Sequence, residues 1–417
     1  MNENRHFTAR NVCIIIAIAL LPRLILALIL PENDTVFVDA PYLEYARNFA
    51  AGRGFWMSGA YSEGLGLDKV YAFRPPLFPF LWGCVYNMTH GHYWPIRVTF
   101  ACLSSVTCGL AYLVGLEMTG RRKPALLGGL LCALYPPLIW HSVHLMTEPL
   151  FIFFGTAMFL ALFRYRRTQR LHWLILAGVA GGLGTLSRSI LVAFLPIAAI
   201  WLWWVRGRGK RATLDTALLT AVVLIVMSPW IVRNAIRFHT FLPTTTDAGH
   251  GFYVANNERA LTDPRTFWIP EDWSSVLEPG MTETEASQHL MRTAARFLLD
   301  NPGKAVRLMG KRFVTLWRFY PKPEFVGERN AWVYGLSYIP VFPFMLIGLW
   351  LIHRGNRERL ANIILVDLLI VYTTVVSVVF LAMMRYRAPL MPFLLMTAAL
   401  AMWNALLPRK IKTEDNA

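Results

Sequence analysis

Runs of apolar residues long enough to cross a bilayer alternate with short polar connections along most of this chain. A hydrocarbon core about 30 Å thick needs about 20 apolar residues per helix. Runs near that length occupy residues 11–30, 96–118, 124–140, 147–163, 172–187, 189–205, 214–232, 333–352, 360–381 and 388–407. They predict an all-α polytopic membrane protein with about ten transmembrane helices. The first run is too long for a removable signal peptide and lacks a small-residue cleavage site, so we expect it to remain as an anchor.

Two longer polar segments separate the runs and divide the chain. We expect residues 1–232 to form an N-terminal transmembrane module whose outer loop, 31–95, carries interfacial helices. Residues 233–332 should form an outer, periplasmic segment that is partly helical, and residues 333–417 the C-terminal transmembrane helices with a cytoplasmic tail. Most of the structure outside the membrane is therefore expected on one face.

Short helices are expected inside both outer segments. Pro41 suits the first turn of a helix, and the apolar residues after it recur at helical spacing as far as Gly52, which suits a helix end. The apolar run over 77–88 is too short to span a membrane and predicts a second helix at the interface. Residues 283–300 and 303–318 predict two more helices packed on the membrane domain.

Composition agrees with this class, and the charge predicts the orientation. Hydrophobic residues make up 55% of the chain and charged residues 16%, which is too apolar for a soluble protein of 417 residues. The net charge of +16 is dispersed over short connections, so no nucleic-acid partner is expected. By the positive-inside rule, the connections that carry basic clusters are cytoplasmic, as are both termini. These clusters fall on alternate connections, at 121–123, 164–170, 206–211, 354–359 and 409–412.

Asp39 and Arg74 lie in the first outer segment, and each has two interpretations. Asp39 precedes the first interfacial helix, where a carboxylate at the membrane surface is a candidate site. Local sequence alone favours the simpler interpretation that Asp39 caps that helix. Arg74 either binds an anionic headgroup or phosphate as part of a site, or extends towards lipid phosphates as interfacial arginines do. The local sequence favours neither interpretation.

Glu148 is a second acidic candidate, at the predicted outer end of the fourth apolar run. A carboxylate at membrane depth is costly and usually functional. His141 and His144 precede Glu148 in the sequence. Two histidines on a short loop more often form hydrogen bonds than hold a metal, so metal binding here is the minority interpretation.

Arginines also occur on the predicted outer face, where the positive-inside rule disfavours them. Arg188 lies in a tight turn between two apolar runs, and Arg385 and Arg387 lie in the last outer turn. A bound anion is an economical explanation for them. The loop after Arg233, residues 243–257, is rich in Gly, Asn and hydroxyl side chains, which suits a sugar but is equally typical of an ordinary surface loop.

These residues together suit one kind of chemistry. Arginines at a lipid boundary neutralise the phosphate leaving group of a lipid-linked sugar, while a carboxylate deprotonates an acceptor hydroxyl. The alternative is a transporter or flippase of lipid-linked sugars, which expects ionisable residues in mid-span, where the chain carries few besides Asp215 and Asp367. A non-catalytic assembly subunit is the third hypothesis. The chain has no Walker loop, so an ATP-driven pump is excluded.

The order of the motifs carries a family resemblance. The motifs are Asp39-x-x-Tyr42 with Gly52-x-Gly54, Arg74-Pro75-Pro76, Thr147-Glu148-Pro149, Pro229-Trp230 with Arg233-Asn234, Asn256-Asn257, and Arg385-Tyr386-Arg387 with Pro389 and Pro392. In this order they resemble the bacterial GT-C glycosyltransferases, which are related to the protein O-mannosyltransferases and to the aminoarabinose transferase that modifies lipid A. The resemblance spans nearly the whole chain.

This resemblance implies an inverting hexosyl- or pentosyltransferase of the bacterial plasma (inner) membrane. Such an enzyme moves a sugar from a polyprenyl-phosphate donor to an acceptor hydroxyl on a lipid, glycan or protein at the outer face. The resemblance implies Asp39 as the general base and Glu148 as the second catalytic acidic residue. The residues expected to bind substrate or phosphate are Tyr42, Arg74, Arg188, Arg233, Asn234, Asn256, Asn257, Arg385 and Arg387.

Two departures from the family pattern concern a metal. The related families have Asp-Glu at the first site, whereas here Ala40 follows Asp39. The aminoarabinose enzyme has Glu-Lys-Pro where this chain has Arg74-Pro75-Pro76, so its metal-associated Glu is missing and Arg74 replaces its phosphate-binding Lys. We therefore expect no required cofactor, with a divalent metal as the minority alternative.

Overall fold

The computed structural model describes residues 2–31, 40–58, 62–63, 66–263, 273–322, 328–355 and 357–406. The helices of the first half are α1 (Asn2–Ile29), α2 (Ala40–Ala50), α3 (Leu77–Met88), α4 (Trp94–Thr119), α5 (Arg122–Leu134), α6 (Pro136–Val143), α7 (Glu148–Thr168), α8 (Leu171–Ser187), α9 (Leu195–Val205) and α10 (Lys210–Phe238). Those of the second half are α11 (Asp247–Ala255), α12 (Glu283–Asp300), α13 (Pro302–Trp317), α14 (Glu328–Tyr338), α15 (Phe342–His353), α16 (Arg357–Val379) and α17 (Met391–Leu406). Short 3₁₀ helices occur at Ser189–Ala193, Arg259–Leu261, Trp273–Ser275 and Met384–Leu390.

Among the described residues, seven helices are long and apolar enough to cross a membrane, or up to eight if the bent pair α5–α6 is one span. The seven are Phe7–Ile29, Trp94–Thr119, Glu148–Thr168, Lys210–Phe238, Asn330–His353, Glu358–Val379 and Met384–Leu406. Two other predicted runs form the shorter apolar helices Leu171–Ser187 and Ser189–Val205. Each predicted run thus coincides with helix, and the prediction of an all-α polytopic membrane protein is confirmed.

The predicted run 124–140 is the bent pair, with an angle of 51° between α5 and α6. The break falls at Tyr135, whose backbone is extended (ψ 112°) because a residue that precedes a proline avoids the α region. Pro136 and Pro137 then start a new helix, since neither has an N–H to continue the hydrogen bonding of α5. The bend allows α6 to contact α1, α4 and α14.

Small residues allow the membrane helices to approach closely. A Cβ on Gly178 or Gly182 of α8 would lie 3.2 Å from the carbonyl oxygen of Leu219 or Val223 in α10. Lipid chains are as apolar as the helices, so apolar burial alone does not drive helix association in a membrane. Close packing between backbones therefore contributes much of the stabilisation.

The two short helices predicted in the first outer segment are present as α2 and α3. They pack on each other, and a Cβ on Gly83 of α3 would lie 2.8 Å from the carbonyl oxygen of Ala46 in α2. The ring of Phe78 lies edge to face with Tyr42 at 5.1 Å and tilted against Phe100 of α4 at 5.5 Å. These aromatic contacts anchor both short helices on α4 and fix the direction of the first turn of α2.

The two helices predicted in the second segment are present as α12 and α13. A capping box begins α12: the hydroxyl of Thr282 accepts the backbone N–H of Glu285, and the Glu285 carboxylate accepts the backbone N–H of Thr282. Asn301 separates the two helices, and Pro302 begins α13. α13 then packs on α16 and on the 3₁₀ helix Met384–Leu390, as expected for an outer helix resting on the membrane domain.

Glu283, in the first turn of α12, connects three distant parts of the chain. Its buried carboxylate accepts the backbone N–H groups of Tyr71 and Ala72 at 2.6 and 3.0 Å. It also accepts the hydroxyl of Thr246 at 2.6 Å, and the backbone N–H of Thr246 donates to the carbonyl of Ala72 at 2.9 Å. These bonds hold the segment before Arg74 beside the loop that leads into α11.

Candidate functional site

One cavity of about 520 Å³ brings together side chains from six separate parts of the chain. We call it the site cavity. It lies between the first turn of α2, the segment before α3 that holds Arg74, the start of α7, the 3₁₀ helix Ser189–Ala193, the loop into α11 with α11 itself, and the end of α16 with the turn that follows it. Its polar and charged lining consists of Tyr42, Arg74, Thr147, Glu148, Arg188, Ser189, Thr244, Asp247, His250, Tyr372, Arg385 and Tyr386. A concave site of this volume with few, convergent polar groups is typical of a small-molecule site.

Glu148 lies at the inner wall of the site cavity and is 1% exposed. It occupies the first turn of α7, where the helix dipole favours a carboxylate and Pro149 needs no hydrogen-bond partner for its nitrogen. One carboxylate oxygen, Oε1, lies 3.1 Å from Nη1 of Arg188 and 3.6 Å from Nε of Arg385. A single buried oxygen therefore orients two arginines that both line the cavity.

Each of these arginines is also held by neighbouring side chains. Arg188 links α8 to the 3₁₀ helix after it, and its guanidinium lies 4.5 Å from the centre of the Tyr386 ring. Arg385 lies 5.9 Å from the same ring and donates to Sδ of Met146 at 3.6 Å. The guanidinium groups are thus in fixed positions, which is what binding of a phosphate by several N–H donors requires.

A second charged pair faces the cavity from the other side. Nη1 of Arg74 lies 3.4 Å from Oδ2 of Asp247, and the Arg74 guanidinium lies 5.4 Å from the centre of the Tyr42 ring. Oδ1 of Asp247 accepts the hydroxyl of Thr245 at 2.5 Å, and the same hydroxyl is 2.9 Å from that of Ser189. This hydrogen-bonded chain joins the α11 loop to the 3₁₀ helix beside Arg188.

Burial shifts the pKa of two groups on this side. Loss of water around Asp247 raises the pKa of its carboxyl above the usual value, although Arg74 and Thr245 both act to lower it. Burial, together with the nearby positive charge of Arg74, lowers the pKa of His250 to about 3. His250 is therefore a neutral imidazole near pH 7, and its ring packs between Phe73 and Trp273 with centres 5.6 and 5.0 Å away.

Of the predicted site residues, five line the site cavity: Tyr42, Arg74, Glu148, Arg188 and Arg385. Asp39, the predicted base, lies outside the described residues. The description resumes at Ala40, and Tyr42 in the same helix borders the cavity. The roles of all these residues stay predictions.

Arg233 and Asn234 are directed towards backbone groups rather than into the site cavity. Arg233 donates through Nη2 to the carbonyl of Phe55 at 2.9 Å and through Nη1 to Oδ1 of Asn234 at 2.9 Å. The amide of Asn234 donates to the carbonyls of Leu242 and Thr244 at 3.1 and 3.2 Å. The pair thus holds the first outer segment and the loop before α11 against the end of α10.

Asn256 and Asn257, just after α11, also hold structure together. The amide of Asn256 donates to the carbonyl of Val379 at 3.0 Å, and its oxygen accepts from Nη2 of Arg312 at 2.6 Å. Asn257 donates to the carbonyl of Tyr253 at 2.9 Å. Neither side chain lines the site cavity.

Arg387 lies two residues from Arg385 but is directed elsewhere. Its Nη1 donates to the carbonyls of Leu316 and Arg318 at 3.3 and 2.7 Å, and its guanidinium lies 3.8 Å from the centre of the Tyr338 ring. This buried arginine therefore joins the end of α13 to α14.

Sequence reasoning did not single out Asp247, His250, Tyr372 or Tyr386 as site residues, although all four line the cavity. Asp247 and His250 lie in the loop 243–257, whose polar composition pointed to a sugar ligand but could not identify the side chains that face inward. Tyr386 lies between Arg385 and Arg387, two predicted site residues, and this position could have identified it. Tyr372 lies in an apolar run, and no local signal distinguishes it.

A narrow apolar crevice of about 40 Å³ lies beside the site cavity. The two spaces share four lining residues, which are Arg188, Ile190, Tyr372 and Tyr386. The crevice therefore begins next to the arginines of the site cavity. It continues between α7 and α17, past Gly155, where a Cβ would meet nothing within 4 Å. The charged cavity and an apolar path are therefore adjacent.

No group of three or more His, Cys, Asp or Glu side chains that could hold a metal occurs within the described parts of the chain. The two histidines before Glu148 make other contacts. Nε2 of His141 lies 3.2 Å from the hydroxyl of Tyr334, and Nδ1 of His144 donates to the carbonyl of Trp140 at 2.6 Å.

The helical architecture, with short helices and a cavity beside the apolar bundle, defines a polytopic membrane protein of the GT-C fold. Residues 73–232 match the sequence model of the family described as dolichyl-phosphate-mannose-protein mannosyltransferase. The chain is also 28% identical over 203 residues to protein O-mannosyl-transferase 2 of Danio rerio. That alignment covers 45% of this chain and 26% of the fish protein. The resemblance to the GT-C proteins is thereby confirmed.

Solved structures agree on the fold. The archaeal oligosaccharyltransferase AglB of Archaeoglobus fulgidus, in complex with an inhibitory peptide and a dolichol-phosphate, superposes with a TM-score of 0.60 at 13% identity. That match covers 96% of this chain and 50% of AglB. The apo form of the Archaeoglobus fulgidus oligosaccharyltransferase gives a TM-score of 0.57 at 13% identity, over 99% of this chain and 52% of that one. The chain thus spans about half the length of these oligosaccharyltransferases.

Proposed function

We propose that this protein is an inverting glycosyltransferase that moves a sugar from a polyprenyl-phosphate donor to an acceptor hydroxyl at the outer face of the membrane. The observation that carries the proposal is the buried Glu148 carboxylate, which orients Arg188 and Arg385 at the entrance to an apolar crevice. A phosphate that carries a long hydrocarbon chain needs a cationic site for the phosphate directly beside an apolar path for the chain. The dolichol-phosphate in the AglB complex supports a donor of this type.

The three cavity arginines are proposed to bind the donor phosphate. Arg188 and Arg385 approach from the α7 side, and Arg74 from the side of Asp247. Charge builds up on the phosphate oxygens as the bond to the sugar breaks, and fixed guanidinium groups stabilise this charge more than they stabilise the neutral sugar end. The polyprenyl chain would lie in the crevice past Gly155.

The reaction is proposed as a single displacement. Asp39 takes the proton of the acceptor hydroxyl while the hydroxyl oxygen forms a bond to the anomeric carbon, and the bond from that carbon to the phosphate oxygen breaks. Polyprenyl phosphate leaves with the electron pair, and attack opposite the leaving group inverts the anomeric configuration. Glu148 is proposed to act through the arginines that it orients. Besides Glu148, Asp247 is the one carboxylate among the described residues that line the cavity, and it is the competing candidate for the base.

The alternative, a transporter of lipid-linked sugars, is less well supported. The two carboxylates that it would use have close basic partners, and neither lines the site cavity. Oδ2 of Asp215 lies 2.7 Å from Nε of Arg206, and Oδ2 of Asp367 lies 2.8 Å from Nε2 of His353. Both pairs join neighbouring helices and do not form a polar path to Glu148.

The proposed location is the bacterial inner membrane, with both termini in the cytoplasm and the site cavity on the periplasmic side. The basic clusters support this orientation, because Arg164, Arg206 and Arg359 lie at the ends of helices opposite the cavity. The acceptor is a lipid, glycan or protein hydroxyl, the sugar is a hexose or pentose, and no metal is required. No nucleic acid is involved.

The proposal is tested with purified protein in detergent and a panel of synthetic polyprenyl-phosphate sugars, by following release of polyprenyl phosphate. Wild-type protein should release it from one donor, with or without a chelator of divalent metals. Asp39→Asn should abolish release, whereas the exposed Asp68→Asn in the same outer segment should retain it. Asp247→Asn separates the two carboxylates: retained release supports Asp39 as the base, and loss in Asp247→Asn alone assigns that role to Asp247.

If no donor of the panel releases polyprenyl phosphate, binding of the same donors to the protein is measured instead. Donor binding to the wild-type protein that is lost in Arg385→Gln would support the glycosyltransferase and indicate that the assay lacks the acceptor. Absence of binding to any donor would contradict the proposal and favour the transporter.

A further inference from the structure

A second large cavity opens at the opposite end of the helix bundle. It measures about 1060 Å³ and is bordered by α1, by the C-terminal ends of α4 and α7, and by the start of α8. Glu148 and Arg167 mark the two ends of α7, which are about 30 Å apart along the helix. This second cavity, which we call the basic groove, is therefore about one membrane thickness away from the site cavity.

The basic groove carries an excess of positive charge. Its arginines are Arg122, Arg164, Arg167, Arg170 and Arg359. Among the described residues that line it, the one carboxylate is Glu117, which leaves an excess of four positive charges. Glu117 is buried, and its Oε1 lies 2.6 Å from Nε of Arg164 and 3.1 Å from Nη2 of Arg167. Such a concentration of positive charge attracts an anion.

The local structure holds one of these arginines at the rim. Gly120 ends α4 in the left-handed region, with φ 70°, and the guanidinium of Arg359 occupies the position that a Cβ on Gly120 would take. Nη1 of Arg359 donates to the carbonyl of Leu116 at 3.3 Å, in the last turn of α4. The C-terminus of a helix favours a cation, so α4 itself fixes this charge at the groove.

The wall of the basic groove is apolar and is formed by helices of the apolar bundle. Val12 of α1, Leu113 of α4 and Trp173 of α8 line it. Only 22% of the apolar part of α1 is buried, and Phe7 and Ile14 of this helix are exposed. A basic rim beside an apolar wall, next to a helix whose apolar surface is largely unburied, matches an amphiphile, with its phosphate at the arginines and an acyl chain along the wall.

We propose that the basic groove binds an anionic phospholipid of the leaflet that surrounds this end of the bundle. A free phosphate ion shares the chemistry of the headgroup, but the apolar wall gives a lipid an additional contact. The proposal does not depend on the proposed glycosyltransferase activity, and its test measures binding.

The test uses native mass spectrometry of the purified, delipidated full chain titrated with phosphatidylglycerol, phosphatidylcholine or inorganic phosphate. Phosphatidylglycerol should bind in preference to phosphatidylcholine. Arg122→Gln and Arg170→Gln, both at exposed positions, should each weaken its binding roughly fivefold, and the double variant roughly 30-fold. The control is Arg354→Gln, an exposed arginine at the same end that stacks on Trp350 at 4.0 Å and does not line the groove.

Two results would contradict the proposal, and each concerns a different part of it. An unchanged affinity in the double variant, or an equal loss in Arg354→Gln, would overturn the site, because the attraction would then be a general property of the basic surface. If inorganic phosphate competes with phosphatidylglycerol at matched concentrations, the proposal of a lipid ligand is wrong and the groove binds a free anion. The single variants keep the test valid if the double variant does not fold.

Discussion

Oε1 of Glu148 lies 3.1 Å from Nη1 of Arg188, which is forty residues further along the chain. The same oxygen lies 3.6 Å from Nε of Arg385. A guanidinium has five N–H donors, so each arginine can contact Glu148 and a phosphate at the same time. Under the proposed function, the buried carboxylate positions the two arginines that bind the donor phosphate and does not itself occupy the phosphate position.

Glu148→Gln should reduce both stability and donor binding. The substitution leaves two partly exposed arginines beside a buried neutral amide, and the loss of a charged hydrogen-bond partner costs about 1.5–3 kcal/mol. Thermal unfolding in detergent measures the loss. The double variant Glu148→Gln/Arg188→Gln should be less destabilised than the sum of the two single variants, because each single variant leaves a charge without its partner. Additive losses would contradict the coupling.

Arg385→Gln and Arg387→Gln should differ although the two residues are neighbours. Arg385 lines the site cavity, so its loss should lower kcat/KM for the donor about 10- to 100-fold. The change in thermal stability should be small, because Glu148 keeps its shorter contact with Arg188. Arg387 donates to the carbonyls of Leu316 and Arg318, so its loss should lower the melting temperature instead. Kinetics and thermal unfolding of both variants give the comparison. An equal kinetic loss at constant stability would contradict the assignment of Arg387 to structure.

Gly155→Leu should block the crevice beside the site cavity. A Cβ on Gly155 meets nothing within 4 Å, so a side chain can extend from this position into the open space. Affinity for a long-chain donor should fall about tenfold, which corresponds to the lost burial of about two CH₂ groups of the lipid chain. A donor with a very short lipid should bind as before. The matched control is Gly310→Leu, on the exposed side of α13, which also meets nothing within 4 Å and should leave both affinities unchanged.

His250 should make the protein less stable in mild acid. Its pKa is lowered from 6.5 to about 3 by burial, so the unfolded chain takes up this proton more readily than the folded protein does. The stability contribution is complete above pH 6.5 and is lost as the pH falls towards 3, by up to about 1.4 kcal/mol per pH unit. His250→Phe, which keeps the aromatic contacts with Phe73 and Trp273, should show a smaller fall in melting temperature between about pH 6.5 and 4. An identical pH dependence would contradict this account.

The positions of the helices could be predicted because their signals are local. The predicted segment 77–88 coincides with α3, and 283–300 with α12. Apolar residues at helical spacing, prolines in first turns and the Thr282 capping box all act within a few residues of one another. The bend between α5 and α6 follows from Pro136 and Pro137, but its angle depends on the helices packed around it.

The composition of the site could be predicted only in part. Arg385 and Arg387 carry the same charge two residues apart, and the 3₁₀ helix Met384–Leu390 directs one into the site cavity and the other towards α13. Arg233 was expected to bind substrate on the same grounds of charge, yet it holds the backbone at Phe55. A basic side chain in an outer loop suits either use, and the partner that it meets comes from a distant part of the chain.

The sequence by itself determined the class of this protein, the helical positions of its apolar runs and the short helices outside them, because apolar burial and helix capping act locally. Only the tertiary structure decided which polar side chains share the site cavity. Glu283 illustrates the reason: its carboxylate holds the backbone at Tyr71 and the hydroxyl of Thr246 together, and this brings Arg74 to Asp247. Such convergence depends on the directions in which packed elements hold their side chains, which residue type and spacing do not specify.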